Sequence, residues 1–428
     1  MELPGFISNA LDVSPRAIDY EVSRRLASHF PDRAILEGND CDFTFMTYVR
    51  EGFCTIRHKA DVHGQVHTWW SADSGVQDRP KNVWYEVDWL GQTLEVLLLD
   101  WNDCGTHYWI LAESDPVARR FFKAVCEHNP DHQDEVLVYN GGQWEACPGL
   151  FRAVQAAAAD DLILPGVLKA EVLADLGRFF ESRTLYESLG VVWKRGLLLT
   201  GPPGNGKTYL IKTVVAQLGK PCLYVKSFKS ERFTEETNIT RIFNQARRAA
   251  PCVLVLEDLD ALVTGENRSF LLNELDGFAN NRGILTLATT NHPDRLDPAL
   301  VDRPSRFDRT YHFPLPDADS RRLFLDRWLA QVPNEYGKAV SEHVRTELTE
   351  STEGFSFAYL KELFLSSLQA LAAGVAGGNL ESIVRDQVRT LAAQRLNAAQ
   401  PFASLKARSS VRAANGSERP TQEDAEGP

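Results

Sequence analysis

Gly201-Pro202-Pro203-Gly204-Asn205-Gly206-Lys207-Thr208 constrains the fold of this chain more than any other stretch of it. An apolar run, Gly196-Leu-Leu-Leu-Thr200, precedes it, and a run with helical spacing, Tyr209-Leu-Ile-Lys-Thr-Val-Val, follows. G-x-x-x-x-G-K-[ST] between a strand and a helix reads as a phosphate-binding loop. Glycines let the backbone curl until its N–H groups converge on a phosphate, and the helix N-terminus adds positive dipole character. Lys207 is placed to reach β- and γ-phosphates, and the Thr208 hydroxyl to hold Mg²⁺. All eight residues are candidate nucleotide-binding residues. A glycine-rich turn that binds nothing is the bland alternative, and the strand–loop–helix context argues against it.

A second element lies some fifty residues on. Val253-Leu-Val-Leu-Glu257-Asp258-Leu-Asp260 is a strand-length apolar run ending in carboxylates. In a parallel sheet, ligands sit at the C-terminal ends of strands. One carboxylate there suits Mg²⁺, and another suits the attacking water. A third element, Leu287-Ala-Thr-Thr-Asn291, ends in a polar side chain able to position that water, or merely to cap a turn. The fourth, Arg303-Pro-Ser-Arg306-Phe-Asp-Arg309, has three arginines in seven residues, and the guanidinium fork suits phosphate charge. Arg309, beside Asp308, reads as a surface ion pair.

The surrounding pattern supplies the scaffold. From Arg195, short β runs at 197–200, 223–226, 253–256, 284–288 and 310–313 alternate with helical stretches, the signature of a parallel α/β sheet. From Pro316 to about residue 397 the pattern is helical. Residues 1–150 differ: seven of the nine tryptophans lie between Trp69 and Trp144. Strand-like runs occur at 43–48, 93–99, 107–111 and 135–139, and helical stripes at 18–30 and 117–125. The expected organisation is a separate α+β domain over 1–150, a connecting helical segment over 151–195, an α/β nucleotide-binding domain over 196–318, a small helical lid over 319–400 and a disordered tail over 401–428.

Fifty-eight acidic against forty-six basic residues give a net charge of −12, which opposes broad binding to a nucleic-acid backbone. No run approaches the roughly 18 apolar residues of a membrane helix. The start lacks the basic-then-apolar pattern of a signal peptide. Seven cysteines without CxxC fit a reducing compartment. These features together predict a cytoplasmic protein with no membrane span and no nucleic-acid partner.

Together the four elements resemble the AAA family of hexamer-forming ATPases over about residues 165–370. The carriers are the phosphate loop, Leu271-Leu-Asn-Glu-Leu-Asp-Gly-Phe278, Thr289-Thr-Asn-His-Pro-Asp-Arg-Leu-Asp-Pro-Ala-Leu300 and Arg306-Phe-Asp-Arg309. The resemblance implies a P-loop NTPase α/β fold, ATP hydrolysis with Mg²⁺, a homo-oligomeric ring such as a hexamer, and a protein substrate. Arg303 and Arg306 match arginine fingers that reach a neighbouring subunit's γ-phosphate, and Asn291 matches the first sensor. Tyr186-Glu-Ser-Leu-Gly190-Val-Val-Trp-Lys-Arg-Gly196, Leu256-Glu-Asp-Leu-Asp260 and Thr-Thr-Asn-His292 look most like the subfamily of the mitochondrial Rieske-protein translocase, whose members carry a membrane anchor. That subfamily shares the Glu-Asp order, so Glu257 takes the metal role beside Thr208, and Asp258 the water-activating role. Ser305 and Asp302 depart from the family pattern around the fingers. Phe357 and Tyr359 depart from it at the lid start, Gly354-Phe-Ser-Phe-Ala358.

Three features have two readings each. Phe228 or Phe233 in Ser227-Phe-Lys-Ser-Glu-Arg-Phe233 either grips a threaded chain or packs in a core. Cys54, His58, His63 and His67 either bind metal or are ordinary strand and loop residues. The tryptophans either meet a partner or fill the core. The leading expectation is an ATPase that remodels or translocates protein. A nucleic-acid-associated ATPase, or a nucleotide-dependent scaffold with negligible hydrolysis, are the alternatives.

Overall fold

The computed structural model describes residues 5–39, 43–60, 62–71, 75–101, 106–128, 135–231, 233–276, 280–301, 303, 305–332, 340–374 and 380–395. The N-terminal region contains α1 (Phe6–Leu11), α2 (Ile18–His29), β1 (Ala34–Gly38), α3 (Phe45–Arg50), β2 (Thr55–His58), β3 (Gln65–Ser71), β4 (Gly75–Trp89), β5 (Gln92–Leu99), β6 (His107–Ala112) and α4 (Asp115–Glu127). Its antiparallel sheet runs β1-β6-β5-β4-β2, and β3 also pairs with β4. One face buries Tyr85, Val87, Val96 and Ile110 against Phe121 and Val125 of α4. The other buries Trp84, Leu97 and Trp109 against Phe6, Val22 and Leu26. With both faces covered, the central strands read as nearly continuous apolar runs. Buried Trp84, Trp89 and Trp109 fill these cores, whereas Trp70, on β3, is 71% exposed.

One expectation for this region changes, and one open reading is narrowed. Most of the run 43–48 lies in α3 (Phe45–Arg50) rather than in a strand. Phe45 and Tyr48, three apart, both reach the core, a spacing that a helix face satisfies and strand alternation does not. The Cys54/His58/His63/His67 set is spread out. His58 pairs opposite Tyr85 and His67 opposite Arg79, six residues apart along β4, or roughly 20 Å at strand rise. Cys54 lies in the core, and burial pushes its thiol up to about 11. Among the described residues no group of three or more His, Cys, Asp or Glu is placed to hold a metal ion.

The second sheet is built from β7 (Val136–Asn140), β8 (Gln143–Ala146), β9 (Arg195–Thr200), β10 (Cys222–Val225), β11 (Cys252–Leu256), β12 (Ile284–Thr290) and β13 (Arg309–His312). Its order is β13-β9-β12-β11-β10-β7-β8, parallel except for the β7–β8 hairpin. Helices α5 (Pro148–Gln155), α6 (Leu168–Glu181) and α8 (Lys207–Leu218) cover one face, with α7 (Arg183–Ser188) beside them. Helices α9 (Glu235–Ala249), α10 (Leu259–Leu262) and α11 (Arg268–Asp276) cover the other, with α12 (Pro298–Val301) at its edge. The expected parallel α/β sheet is therefore present, and it is wider than expected. Residues 136–146, assigned by composition to the N-terminal unit, pair with β10 (Cys222↔Val136 to Val225↔Tyr139). Four consecutive buried apolar residues, Val136–Tyr139, suit a strand covered on both faces, but that pattern does not say which sheet takes it.

The lid comprises α13 (Ala318–Gln331), α14 (Glu342–Ser351), α15 (Phe357–Ala372) and α16 (380–395). Asp317, Ser341 and Ser356 each accept a backbone N–H at the starts of α13, α14 and α15, as N-caps do. Trp328, Leu348, Phe355, Leu363 and Val384 form its core. The tail from 401, expected to be disordered, lies outside the described residues. Among the described residues no helix is long and apolar enough to cross a membrane.

Candidate nucleotide site

The phosphate loop bridges β9 and α8. Gly201, Gly204 and Gly206 all have positive φ, at 134°, 78° and 92°, which only glycine adopts without strain in such a run. A Cβ on Gly201 would lie 2.2 Å from the Phe313 carbonyl oxygen, so β13's exit packs directly under the loop. Ala358 N–H donates to the Gly204 carbonyl at 3.1 Å, which docks the lid start on the loop despite Phe357 and Tyr359. Leu162 lies against Gly206, and the Tyr209 hydroxyl donates to the Ala158 carbonyl at 3.3 Å. The connecting segment thus forms a wall of the site that the motifs did not announce.

Lys207 is buried and donates Nζ to the carbonyls of Gly201 at 2.6 Å and Pro202 at 2.9 Å. Burial pulls its pKa below the ordinary lysine value, and Asp258, Glu257 and Asp260 oppose that shift. The acids of the second element therefore lie within the electrostatic reach of the loop lysine. Thr208 is exposed on the first turn of α8, while Pro202 and Pro203 are at least partly exposed. Asn205 is 1% exposed, and neither of its side-chain polar atoms has a partner.

Asp258 has φ 50° and ψ 54°, a left-handed conformation rare outside glycine that aspartate tolerates better than most residues. Its N–H donates to Thr289 Oγ1 at 3.0 Å, and Asn291 Nδ2 donates to its Oδ1 at 3.2 Å. Thr290 Oγ1 donates to Asp260 at 2.7 Å. The ends of β11 and β12 are thus stitched together, with Asn291 on the carboxylate expected to activate water. Glu257 Oε2 accepts the Tyr224 hydroxyl at 2.5 Å, and its Oε1 is buried without a partner. Burial, first, and the Glu257 carboxylate raise the pKa of Tyr224 well above the usual phenol range. A cavity of about 290 Å³ opens beside the acid pair, lined in part by Tyr224, Lys226, Lys229, Glu257 and Asp258. Orphaned buried polar atoms on Asn205 and Glu257, beside a lysine and a run of turned glycine N–H groups, fit a phosphate chain and a divalent cation.

The arginines lie elsewhere. A Cβ on Gly196, at the start of β9, would sit 2.1 Å from the Arg306 carbonyl oxygen, whereas the loop follows the end of that strand. At strand rise this is roughly 13 Å, toward the opposite edge of the sheet. Arg306 is 5% exposed and donates Nε and one terminal nitrogen to the two oxygens of Asp276, at 2.9 and 2.6 Å, and the other to the Ala299 carbonyl. Arg303 is 65% exposed, 4.0 Å from Asp276. Arg309 approaches Asp175 at 4.0 Å rather than pairing with adjacent Asp308, which accepts the Gly196 N–H. Phe228 is buried in the sheet core, a packing role, and the Arg241 guanidinium stacks over the Phe233 ring. Sequence reasoning missed Tyr224 and Asp276 as partners of site residues. Asp276 stood inside a motif string, but Tyr224 carried no signal until β10 was seen beside β11.

A glycine-turned phosphate loop, an acidic strand end and a polar neighbouring strand end define a P-loop nucleoside-triphosphatase domain. Residues 197–315 match the family described as "ATPase family associated with various cellular activities (AAA)", and this stretch is an AAA ATPase domain, a kind that uses ATP with Mg²⁺. The chain is similar to the ATP-dependent zinc metalloprotease FTSH 11, chloroplastic/mitochondrial, of Arabidopsis thaliana, at 34% identity over 48% of this chain and 26% of that protein. It is also similar to the ATP-dependent zinc metalloprotease FtsH of Ruminiclostridium cellulolyticum, at 33% identity over 52% and 37%. FtsH 2 of Alkaliphilus metalliredigens is 36% identical over 46% and 30%. The likeness thus spans 26–37% of the length of these relatives.

Proposed function

We propose that this chain is an ATPase of a homo-oligomeric ring, hexameric or similar, that couples hydrolysis of the β–γ phosphoanhydride bond to remodelling or translocation of a protein substrate. The observation that carries this is the division of charge between two edges of one sheet. Lys207, Glu257, Asp258 and Asn291 gather at the strand C-terminal edge, and exposed Arg303 stands toward the other. In this reading the loop N–H groups and Lys207 bind the phosphates, while Thr208 and Glu257 hold Mg²⁺. The ion, when bound, neutralises charge on the phosphate oxygens. Asp258 accepts the proton of the attacking water, and Asn291 fixes the orientation of that carboxylate. Exposed Arg303 acts on the neighbouring subunit; Arg306, expected to share that role, is buried on Asp276 and holds the segment in place instead. The FtsH relatives are named as ATP-dependent proteases, which favours a protein substrate. The resemblance to the Rieske-protein translocase subfamily rests on residues 186–196, 256–260 and 289–292. Proteolysis and membrane attachment are not part of the proposal.

Lys207→Ala tests the site. The backbone cradle alone does not balance the phosphate charge, so calorimetry should show tight ATP binding in the native chain and none in the variant. Unchanged affinity would remove the phosphate-loop assignment. Steady-state phosphate release by the native chain then separates hydrolysis from a nucleotide-dependent scaffold.

A further inference from the structure

Glu257 carries a constraint that an aspartate at the same strand end would not. Its extra methylene adds a rotatable bond, and ordering a longer side chain costs more rotamer entropy. A carboxylate meant to hold a cation at one place is therefore less well placed by glutamate unless something anchors it. Here one oxygen is anchored. Tyr224 lies on β10, the strand next to β11, in parallel register with Val255, two residues before Glu257. From there its hydroxyl donates to Glu257 Oε2 at 2.5 Å. The second oxygen, Oε1, is buried and bare. Buried polar atoms are nearly always paired, so a bare carboxylate oxygen beside a phosphate loop marks a place for a ligand. The field of this carboxylate reaches Lys207, whose shift it opposes. One oxygen held and one presented is the arrangement expected where an outer partner orients an acid toward a metal.

We propose that Tyr224 is a positioning residue for the metal-holding acid: its hydroxyl anchors Oε2 of Glu257 so that Oε1 is presented to the divalent cation, offsetting the rotational freedom that glutamate adds over aspartate. The inference rests on the nucleotide-site reading above. It assigns Tyr224 no contact with the nucleotide. Loss of the hydroxyl therefore raises the Mg²⁺ requirement and leaves metal-free nucleotide affinity alone.

The experiment is a calorimetric titration of the full chain with a non-hydrolysable ATP analogue across a range of Mg²⁺ concentrations, repeated with Mn²⁺. Four proteins are compared: native, Tyr224→Phe, Glu257→Asp and the double variant, each checked by thermal unfolding. Tyr224→Phe keeps the ring and should raise the half-saturating Mg²⁺ concentration about 10–100-fold, the usual cost of losing a partner behind a metal ligand. In the Glu257→Asp background the shorter carboxylate no longer reaches the hydroxyl, so adding Tyr224→Phe should change nothing further. A purely structural phenol predicts otherwise: an equal Mg²⁺ requirement in native and Tyr224→Phe proteins, or the same increment in both backgrounds, overturns the proposal. If the native chain binds no analogue at any Mg²⁺ concentration, the nucleotide-site reading falls and takes this one with it.

Discussion

Asp258 combines a strained backbone with a carboxylate that has a designated partner. Left-handed φ and ψ on a non-glycine residue cost of order 1–3 kcal/mol, and such strain tends to persist where surrounding contacts enforce it. Here Thr289 takes its N–H and Asn291 its Oδ1. Asn tolerates the same backbone region, so Asp258→Asn should fold and bind ATP as the native chain does. It should turn over about 10²–10⁴-fold more slowly, because the amide cannot accept the proton of water. Phosphate release and nucleotide calorimetry check both halves. If instead Glu257→Gln gives this phenotype while Asp258→Asn loses Mg²⁺ dependence, the two roles are reversed. The placement of Lys207 was legible from the glycine motif between strand and helix, and that of Asp258 and Asn291 because each lies just past a strand end, where position in the sheet fixes where the side chain goes. Tyr224 was not, since it acts from mid-strand on a neighbour that only the strand order supplies.

At the scale of elements, Asp276 ties the end of α11 to the segment 303–306. Its carboxyl is held below the usual aspartate range, first by hydrogen bonding from Arg306 and further by Ser305. A depressed folded-state pKa means that the native state binds fewer protons than the unfolded chain near the unfolded value. The stabilisation is therefore complete above that value, 3.8, and is lost as pH falls through the lower folded one. Asp276→Asn leaves the Arg306 guanidinium buried with its charge uncompensated. It should cost about 3 kcal/mol at pH 7, the low end for breaking a buried ion pair. The cost should shrink toward the acid limb, as urea unfolding at several pH values would show. Arg303→Ala, at an exposed position, should fall within about 0.5 kcal/mol of native. A large loss for Arg303→Ala and none for Asp276→Asn would contradict the pairing seen here. The five strands β9 to β13 were readable to within two residues, because short buried apolar runs mark them; the helices between them were readable only as alternating stretches. The short run 43–48 was not readable as a helix, since Phe43 and Phe45 alternate as a strand does, and only the burial of Tyr48 with Phe45 reveals the helical spacing.

For the whole molecule, the β7–β8 hairpin decides where the nucleotide domain begins. Tyr139 donates its hydroxyl to Asn238 Oδ1 at 2.7 Å, and Asn238 in turn donates to the Phe228 carbonyl and Ser230 Oγ, so the hairpin braces the loop after β10. A chain beginning at residue 135 should fold and bind ATP. One beginning at 151 would expose the β10 edge, an unpaired template for association, and should aggregate on size-exclusion chromatography. Equal behaviour of the two would deny the hairpin its place in the sheet. No composition boundary could show this, since tryptophan content says nothing about pairing. The same sheet geometry bears on assembly. Arg306 stands near the start of β9, away from the loop that follows its end, and Arg303, 65% exposed beside the same Asp276, is the arginine that the proposed function offers to a neighbour. Arg303→Ala should therefore bind ATP normally yet hydrolyse poorly, fingers supplied in trans contributing on the order of 10³–10⁵ in rate. Lys207→Ala has the converse defect: an empty site beside an intact finger. In the proposed ring, mixing would create interfaces that pair the intact site of the first with the intact finger of the second, so two nearly inactive proteins should regain partial phosphate release together. Arg306→Ala is the poorer partner for this test, because removing it leaves Asp276 without its main counter-charge. Absence of recovery, in a mixture shown by light scattering to exchange subunits, would count against action in trans, and a fully active monomer would eliminate it.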